Sequence, residues 1–299
     1  MAVDAPAGFE RYASEEVPQA AVGAPGKDGE LDLAFAADAE GRTTLVRDYA
    51  RVPFHVSGSL DHAPPPEGTA VYLQSPTGGV AQGDRHEVSI EAGPGATALV
   101  TTGSATKVQS MEHNYAHARI ELSVGDGGLL EYVPEPTILY PDSRFCRSVT
   151  LGLGAEATAI LGGAVVPGRL TRGEAFEFER YAARTVARSD DRLFEDTVRL
   201  VPGDEGPPTA AVLGDHDVFA TLHAVTTTGA DARTLADRIH GRISGETPVA
   251  AASTLPNDAG VWVRVLGDRT ESVTRTLHAA WDEARTALVG APAPDLRKY

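Results

Sequence analysis

Between residues 31 and 160 the chain reads as ten short β-prone runs divided by turn signals, with no helical period between them. The runs fall at 31–36, 43–49, 54–56, 70–73, 86–90, 96–101, 118–124, 129–133, 149–153 and 158–160. Glu87-Val88-Ser89-Ile90 and Glu121-Leu122-Ser123-Val124 alternate polar with apolar residues, the period of a strand with one buried face. Between runs stand Pro64-Pro65-Pro66-Glu67-Gly68, Gly93-Pro94-Gly95 and Gly125-Asp126-Gly127-Gly128. Closely spaced strands without crossover helices argue against a βαβ sheet and for stacked all-β layers.

Further strands are expected at 174–179 and 193–200, and the 202–208 loop is the expected internal boundary. The pattern then changes. Asp231 is placed to cap a helix in which Ala232, Leu235, Ala236 and Ile239 share a face and Gly241 ends the run. After a β-type stretch at 260–266, Asp268 and Glu271 have capping-box spacing. The stripe Val273, Leu277, Ala280, Trp281, Ala284 and Leu288 follows, and Gly290 and Pro292 stop it. The expected organisation is a flexible arm over 1–29, a β-rich core over 30–205 and an α+β part over 206–299 packed on that core.

Charge narrows the partners. With 26 Lys+Arg against 42 Asp+Glu the chain carries −16, a field that repels phosphate backbones and anionic lipid, so neither nucleic acid nor membrane surface is an expected partner. Lysines are confined to Lys27, Lys107 and Lys298, and this acidic, lysine-poor balance fits a salt-rich cytoplasm. Cys146 is the single cysteine, which excludes an intrachain disulfide and a Cys-rich metal site. No segment approaches the roughly 20 apolar residues of a membrane span, and a cytoplasmic protein is expected.

Gly103-Ser104-Ala105-Thr106-Lys107 lacks phosphate-loop spacing, and neither Gly-x-Gly-x-x-Gly nor Gly-x-Ser-x-Gly occurs where it would bind nucleotide or build a nucleophile elbow. Cys146, beside a β run, reads as buried and inert. His113 and His117 share a face only on a helix, whereas the adjoining run favours strand or loop, so they read as a structural surface pair. The chemistry-bearing residues are the turn-borne carboxylates Asp84, Glu131, Glu135, Asp142 and Glu174. They suit weak oxygen ligation of a divalent cation. They equally suit a β-rich, glycosidase-like hydrolase, which needs two carboxyls about 5–10 Å apart, or simple solvation. Sequence spacing leaves these readings open.

Four ordered motifs carry a resemblance. Ser75-Pro76-Thr77-Gly78-Gly79 through Gly83-Asp84, then Thr101-Thr102-Gly103-Ser104-Ala105-Thr106-Lys107-Val108, then Leu130-Glu131-Tyr132-Val133-Pro134-Glu135-Pro136-Thr137-Ile138-Leu139-Tyr140, then Gly168-Arg169-Leu170-Thr171-Arg172-Gly173-Glu174-Ala175-Phe176 look like the urease accessory protein family UreD, called UreH in some bacteria. The resemblance implies a mainly β fold of stacked short strands resembling a right-handed β-helix, with two α-helices in the C-terminal third. It implies a non-enzymatic nickel-delivery chaperone that binds apo-urease and, on another surface, UreF, which recruits the GTPase UreG. It implies an internal water-filled passage for nickel in transit, with no tightly bound cofactor, lined by Asp84, Glu131, Glu135, Asp142 and Glu174. Gly78, Gly79, Gly83, Lys107 and Arg169 are the matching structural positions. Several weak oxygen sites in series suit a cation that must enter and leave, better than a cage of soft ligands.

Overall fold

The computed structural model describes residues 5–17, 26–60, 68–202, 213–245 and 247–295. The strands are β1 (Asp28–Ala37), β2 (Thr43–Ala50), β3 (His55–Leu60), β4 (Thr69–Gln74), β5 (Arg85–Ala92), β6 (Thr97–Thr102), β7 (Thr106–Val108), β8 (Ala116–Val124) and β9 (Leu129–Tyr132). They continue as β10 (Thr137–Leu139), β11 (Arg144–Leu153), β12 (Thr158–Val166), β13 (Arg180–Arg188), β14 (Arg192–Leu200), β15 (Val218–Thr226), β16 (Val249–Thr254) and β17 (Gly260–Gly267). Helices are the short α1 (Glu10–Ala13), α2 (Ala232–Ile243) and α3 (Thr270–Val289).

The chain is mainly β and winds as a solenoid of about four turns. One sheet runs β14-β13-β11-β8-β5-β1-β2, and its five central strands are parallel. The other path runs β16-β17-β15-β12-β9-β6-β4-β3, parallel from β4 to β12. The short parallel strands β7 and β10 form a narrow third side. Each sheet reverses direction at its ends, and three of these terminal pairings, β1/β2, β3/β4 and β13/β14, carry a register shift. Strand directions explain why no helices intervene: each turn returns to the same sheet through the opposite one rather than through a crossover helix.

Alternation decides the two cores. Val88, Ile120, Val149 and Leu151 point from the first sheet toward Val71, Val100 and Leu130 of the second. The second sheet's other face, with Leu99, Ile160, Leu222, Val261 and Val263, packs on Leu235 and Ile239 of α2 and Leu277 and Trp281 of α3. Each such aliphatic side chain contributes about 1.5–3 kcal/mol on burial.

The sequence reading did not single out β7, β10, β13, β15 or β16, and four further local features differ from it. Residues 174–179 are not a strand, because Gly173 at φ +77° and Phe176 at φ +60° bend the backbone out of the extended region. Helix α2 passes through Gly241 to Ile243, whose side chain is buried against the second sheet; that burial outweighs the roughly 1 kcal/mol cost of a helical glycine. Helix α3 begins at Thr270 without a side-chain cap, and Asp268 instead meets His216 Nδ1 at 3.0 Å. Of the stretch read as an arm, residues 5–17 pack: Phe9 and Tyr12 are buried with Tyr115 and Cys146, and Tyr12 Oη donates to Glu179 Oε1 at 2.5 Å. Asp231 caps α2 by accepting from the Arg233 and Thr234 amides, and Gly290 closes α3 at φ +77°. Residues 1–4 and 18–25 of the arm and 203–208 of the expected boundary lie outside the described residues.

Candidate functional site

Small residues leave space inside the solenoid. Register sets His86, Ala118, Arg147 and Ala183 side by side across β5, β8, β11 and β13. In the second sheet Gly163 of β12 pairs with Thr221 of β15, which pairs with Arg264 of β17. Where neighbouring rows carry Val, Ile and Leu, these rows carry Ala and Gly, and two cavities result. The larger, about 190 Å³, is walled by Phe54, His86, Thr102 and Ala118, and also by Ser75, Gly78, Gly79 and Lys107. The smaller, about 70 Å³, is walled by Gly163, Asp196, Thr221 and His223. Tyr132 and Arg147 belong to both walls.

The groups around these cavities are polar and unevenly paired. His223 Nε2 lies 3.1 Å from Asp196 Oδ2, and its ring stacks on Phe194. Burial works to raise the Asp196 carboxyl, but the contacts with His223 and Arg264 prevail and hold it below its usual range. Burial lowers the Arg264 guanidinium and the His86 imidazole, the latter against the opposing pull of Asp84.

The glycine turn is built by backbone proximity. A Cβ on Gly79, at φ +122°, would stand 2.1 Å from the Lys107 carbonyl oxygen, which accepts the Val80 amide at 2.8 Å. Lys107 thus enters the turn through its backbone, while its side chain is exposed. Gly83, at φ +75°, lets Val17 and Gly26 approach. Next to it Asp84 is wholly buried: Oδ1 accepts from the amides of Gly26 at 3.1 Å and Lys27 at 2.8 Å, and Oδ2 from Ala81 at 2.8 Å.

The five expected carboxylates lie apart. Glu131 faces the helices, since Leu130 and Tyr132 on either side of it face the interior; its oxygens accept from Trp281 Nε1 at 2.6 Å and Arg285 Nε at 2.9 Å. Glu174 is clasped by both nitrogens of an Arg169 fork, one bond measuring 2.7 Å, and Arg169 lies 4.4 Å from the Tyr140 ring centroid. Glu135 is half-buried, and its amide donates to Thr102 Oγ1 at 2.9 Å. Asp142 is exposed at φ +60°. None of the five lines either cavity, and among the described residues no three His, Cys, Asp or Glu side chains converge to hold a metal ion.

His113 lies in the bend before β8 and His117 on β8 itself, so the two are not the expected surface pair; His117 is buried with Nε2 3.0 Å from Ser148 Oγ, and burial, with Arg119 and Arg85 nearby, pushes its imidazole down to about 4. Burial pushes the Cys146 thiol up to about 11, which makes it a poor nucleophile at neutral pH. Arg147, Asp196 and His223 did not emerge from the turn motifs. Their signal is a charged or titratable residue at an inward position of an alternating strand, as in Phe145-Cys146-Arg147-Ser148-Val149.

The family model described as UreD urease accessory protein matches residues 27–298. A protein of Haloarcula marismortui named urease accessory protein UreD is 56% identical over 301 residues, covering 100% of each chain. One of the same name from Natronomonas pharaonis is 44% identical, covering 98% of this chain and 99% of its own. Another from Cenarchaeum symbiosum is 33% identical, covering 94% and 99%.

Proposed function

Because the chain belongs to the UreD urease accessory protein family, we propose that it is a cytoplasmic maturation chaperone that holds apo-urease on one surface and UreF, with the GTPase UreG, on another, and passes nickel through its interior. The family is one of accessory proteins rather than catalysts. The match over residues 27–298 carries this reading. It is supported by the paired cavities that share Tyr132 and Arg147, the larger of which is walled by the Gly78-Gly79 turn and Lys107. Nickel is cargo here, bound in passing by oxygen ligands that release it.

The carboxylates divide by how committed they are. Asp142, exposed, and Glu135, half-buried, meet a hydrated cation near the surface. Asp84, Glu131 and Glu174 meet it only by giving up the amides, the indole and the arginines that hold them now. A β-rich hydrolase is not favoured by the family. Among the described residues no helix is long and apolar enough to cross a membrane.

The test is urease matured in cells that make its subunits with and without this chain. Nickel per urease active site is expected to fall to background without it, and tagged apo-urease is expected to retain the chain on a column. Urease fully loaded with nickel in its absence would overturn the role.

A further inference from the structure

Among the described residues, no carboxylate pairs with the guanidinium on the wall that the two cavities share. The inward row of β11 reads Phe145, Arg147, Val149, Leu151, Leu153, one charge among apolar neighbours. Among the described residues Arg147 makes no hydrogen bond and no ion pair; its recorded ring contact is with Tyr132, 5.7 Å from the guanidinium carbon to the centroid. Nη1 lies 3.5 Å from where a Cβ on Gly163 would stand, so the glycine keeps that side open. Asp196, on the same wall of the smaller cavity, is turned toward His223. Arg264, on the facing sheet, adds a second positive charge and has a buried Nη1 without a partner.

Arg147 is half-buried on the shared wall of the two cavities; a guanidinium in such a recess keeps its charge, and its planar fork matches two oxygens held side by side. In a chain of net charge −16, the two guanidiniums Arg147 and Arg264 against the one carboxylate Asp196 leave a local positive excess here. The adjoining volumes, about 190 and 70 Å³, admit an ion of a few atoms but exclude a nucleotide at the narrower side. We propose that Arg147 is the anchor of an internal binding site for a small planar oxyanion, a carboxylate or bicarbonate presenting two adjacent oxygens to the fork. A dication passing this point would otherwise face an uncompensated guanidinium, so the anion also makes the interior passable to a cation. The site itself stands whether or not nickel travels this way.

The probe is 13C-labelled formate added to the full-length protein, with ionic strength held constant by chloride. Saturable line broadening at millimolar formate is expected, together with a melting temperature that rises with formate concentration. Labelled bicarbonate forms the second arm and is expected to compete, whereas tetrahedral sulfate is expected to compete at least tenfold less well. Arg147→Gln is expected to abolish the broadening and the formate-dependent shift while melting close to wild type in formate-free buffer, because the side chain has only its ring contact with Tyr132, and no hydrogen bond or ion pair, to lose. Gly163→Val keeps the arginine but fills the space beside Nη1, and it is expected to weaken formate at least tenfold. Formate binding unchanged in both variants, or chloride displacing formate one for one, overturns the site.

Discussion

Glu131 Oε2 and Arg285 Nε stand 2.9 Å apart with both side chains 1% exposed, so an ion pair fastens β9 of the solenoid to α3. Burial raises the Glu131 carboxyl, and the Arg285 charge and Trp281 indole oppose it. Removing one partner strands the other. Arg285→Ala is expected to cost about 3–5 kcal/mol, and replacing both by leucine distinctly less, as read from urea unfolding midpoints. A single variant as stable as wild type would mean that α3 docks without the pair.

Asp84→Ala leaves the amides of Gly26, Lys27 and Ala81 without their carboxylate, a loss of about 1–3 kcal/mol for each group that water does not reach. Hydrogen exchange is expected to speed up at those amides first. Protection unchanged there would show that the carboxylate is not what ties the Gly83 turn to the segment before β1.

Gly79→Ala confronts both a φ of +122° and a Cβ 2.1 Å from the Lys107 carbonyl oxygen. Strain of this kind costs about 1–3 kcal/mol, and the larger cavity changes shape because this turn walls it. Thermal unfolding reads the cost, with Gly173→Ala as a control, since an added Cβ there has nothing within 4 Å. Equal losses at both sites would leave the φ angle alone responsible.

Ala118→Phe places a ring in the larger cavity without touching any of the five turn carboxylates. Retention on apo-urease is expected to be unchanged, while nickel per urease site falls at least tenfold. Normal loading would count against the proposed passage of nickel through the interior.

His117 contributes a pH dependence of defined sign. Its folded imidazole is pushed down to about 4, from an ordinary value of 6.5, so between these pH values the unfolded chain holds the extra proton. Its contribution is complete above about 6.5 and is lost as pH falls toward 4, with His86 acting in the same direction. In His117→Gln the unfolding free energy is expected to fall less steeply over that interval, by up to one proton's slope. An unchanged slope would place the protonation elsewhere.

Most strands were legible because alternation and turn residues are local properties, β7, β10, β13, β15 and β16 being the exceptions, and the Asp231 cap and the α3 stripe were legible for the same reason. Other features depend on what lies across the fold. Ala118, Ala183 and Gly163 are unremarkable in sequence and matter only because register brings them level with Arg147. The 174–179 alternation suggested a strand, but two left-handed residues and the Arg169–Glu174 clasp make it a loop. Phe9 and Tyr12 stand in an Ala- and Pro-rich stretch without periodicity, and their burial depends on Tyr115 and Cys146, more than 100 positions away. The motifs located the turn acids; partners such as Trp281 and Arg285 decided where those acids face.

The reversals at the sheet ends bear on solubility. A stack of parallel strands has no intrinsic length, and a terminal strand of the same direction offers the next molecule a matching edge, from which fibres grow. Here β2, β3 and β14 each turn back against the stack and slip register as they do so, at Ala34/Phe35, Val56/Ser59 and Ala187/Arg188. No such shift occurs among the parallel pairings within the stack. The irregularities are concentrated where a second copy would seek purchase, so a winding that is open-ended in principle stops as a discrete molecule.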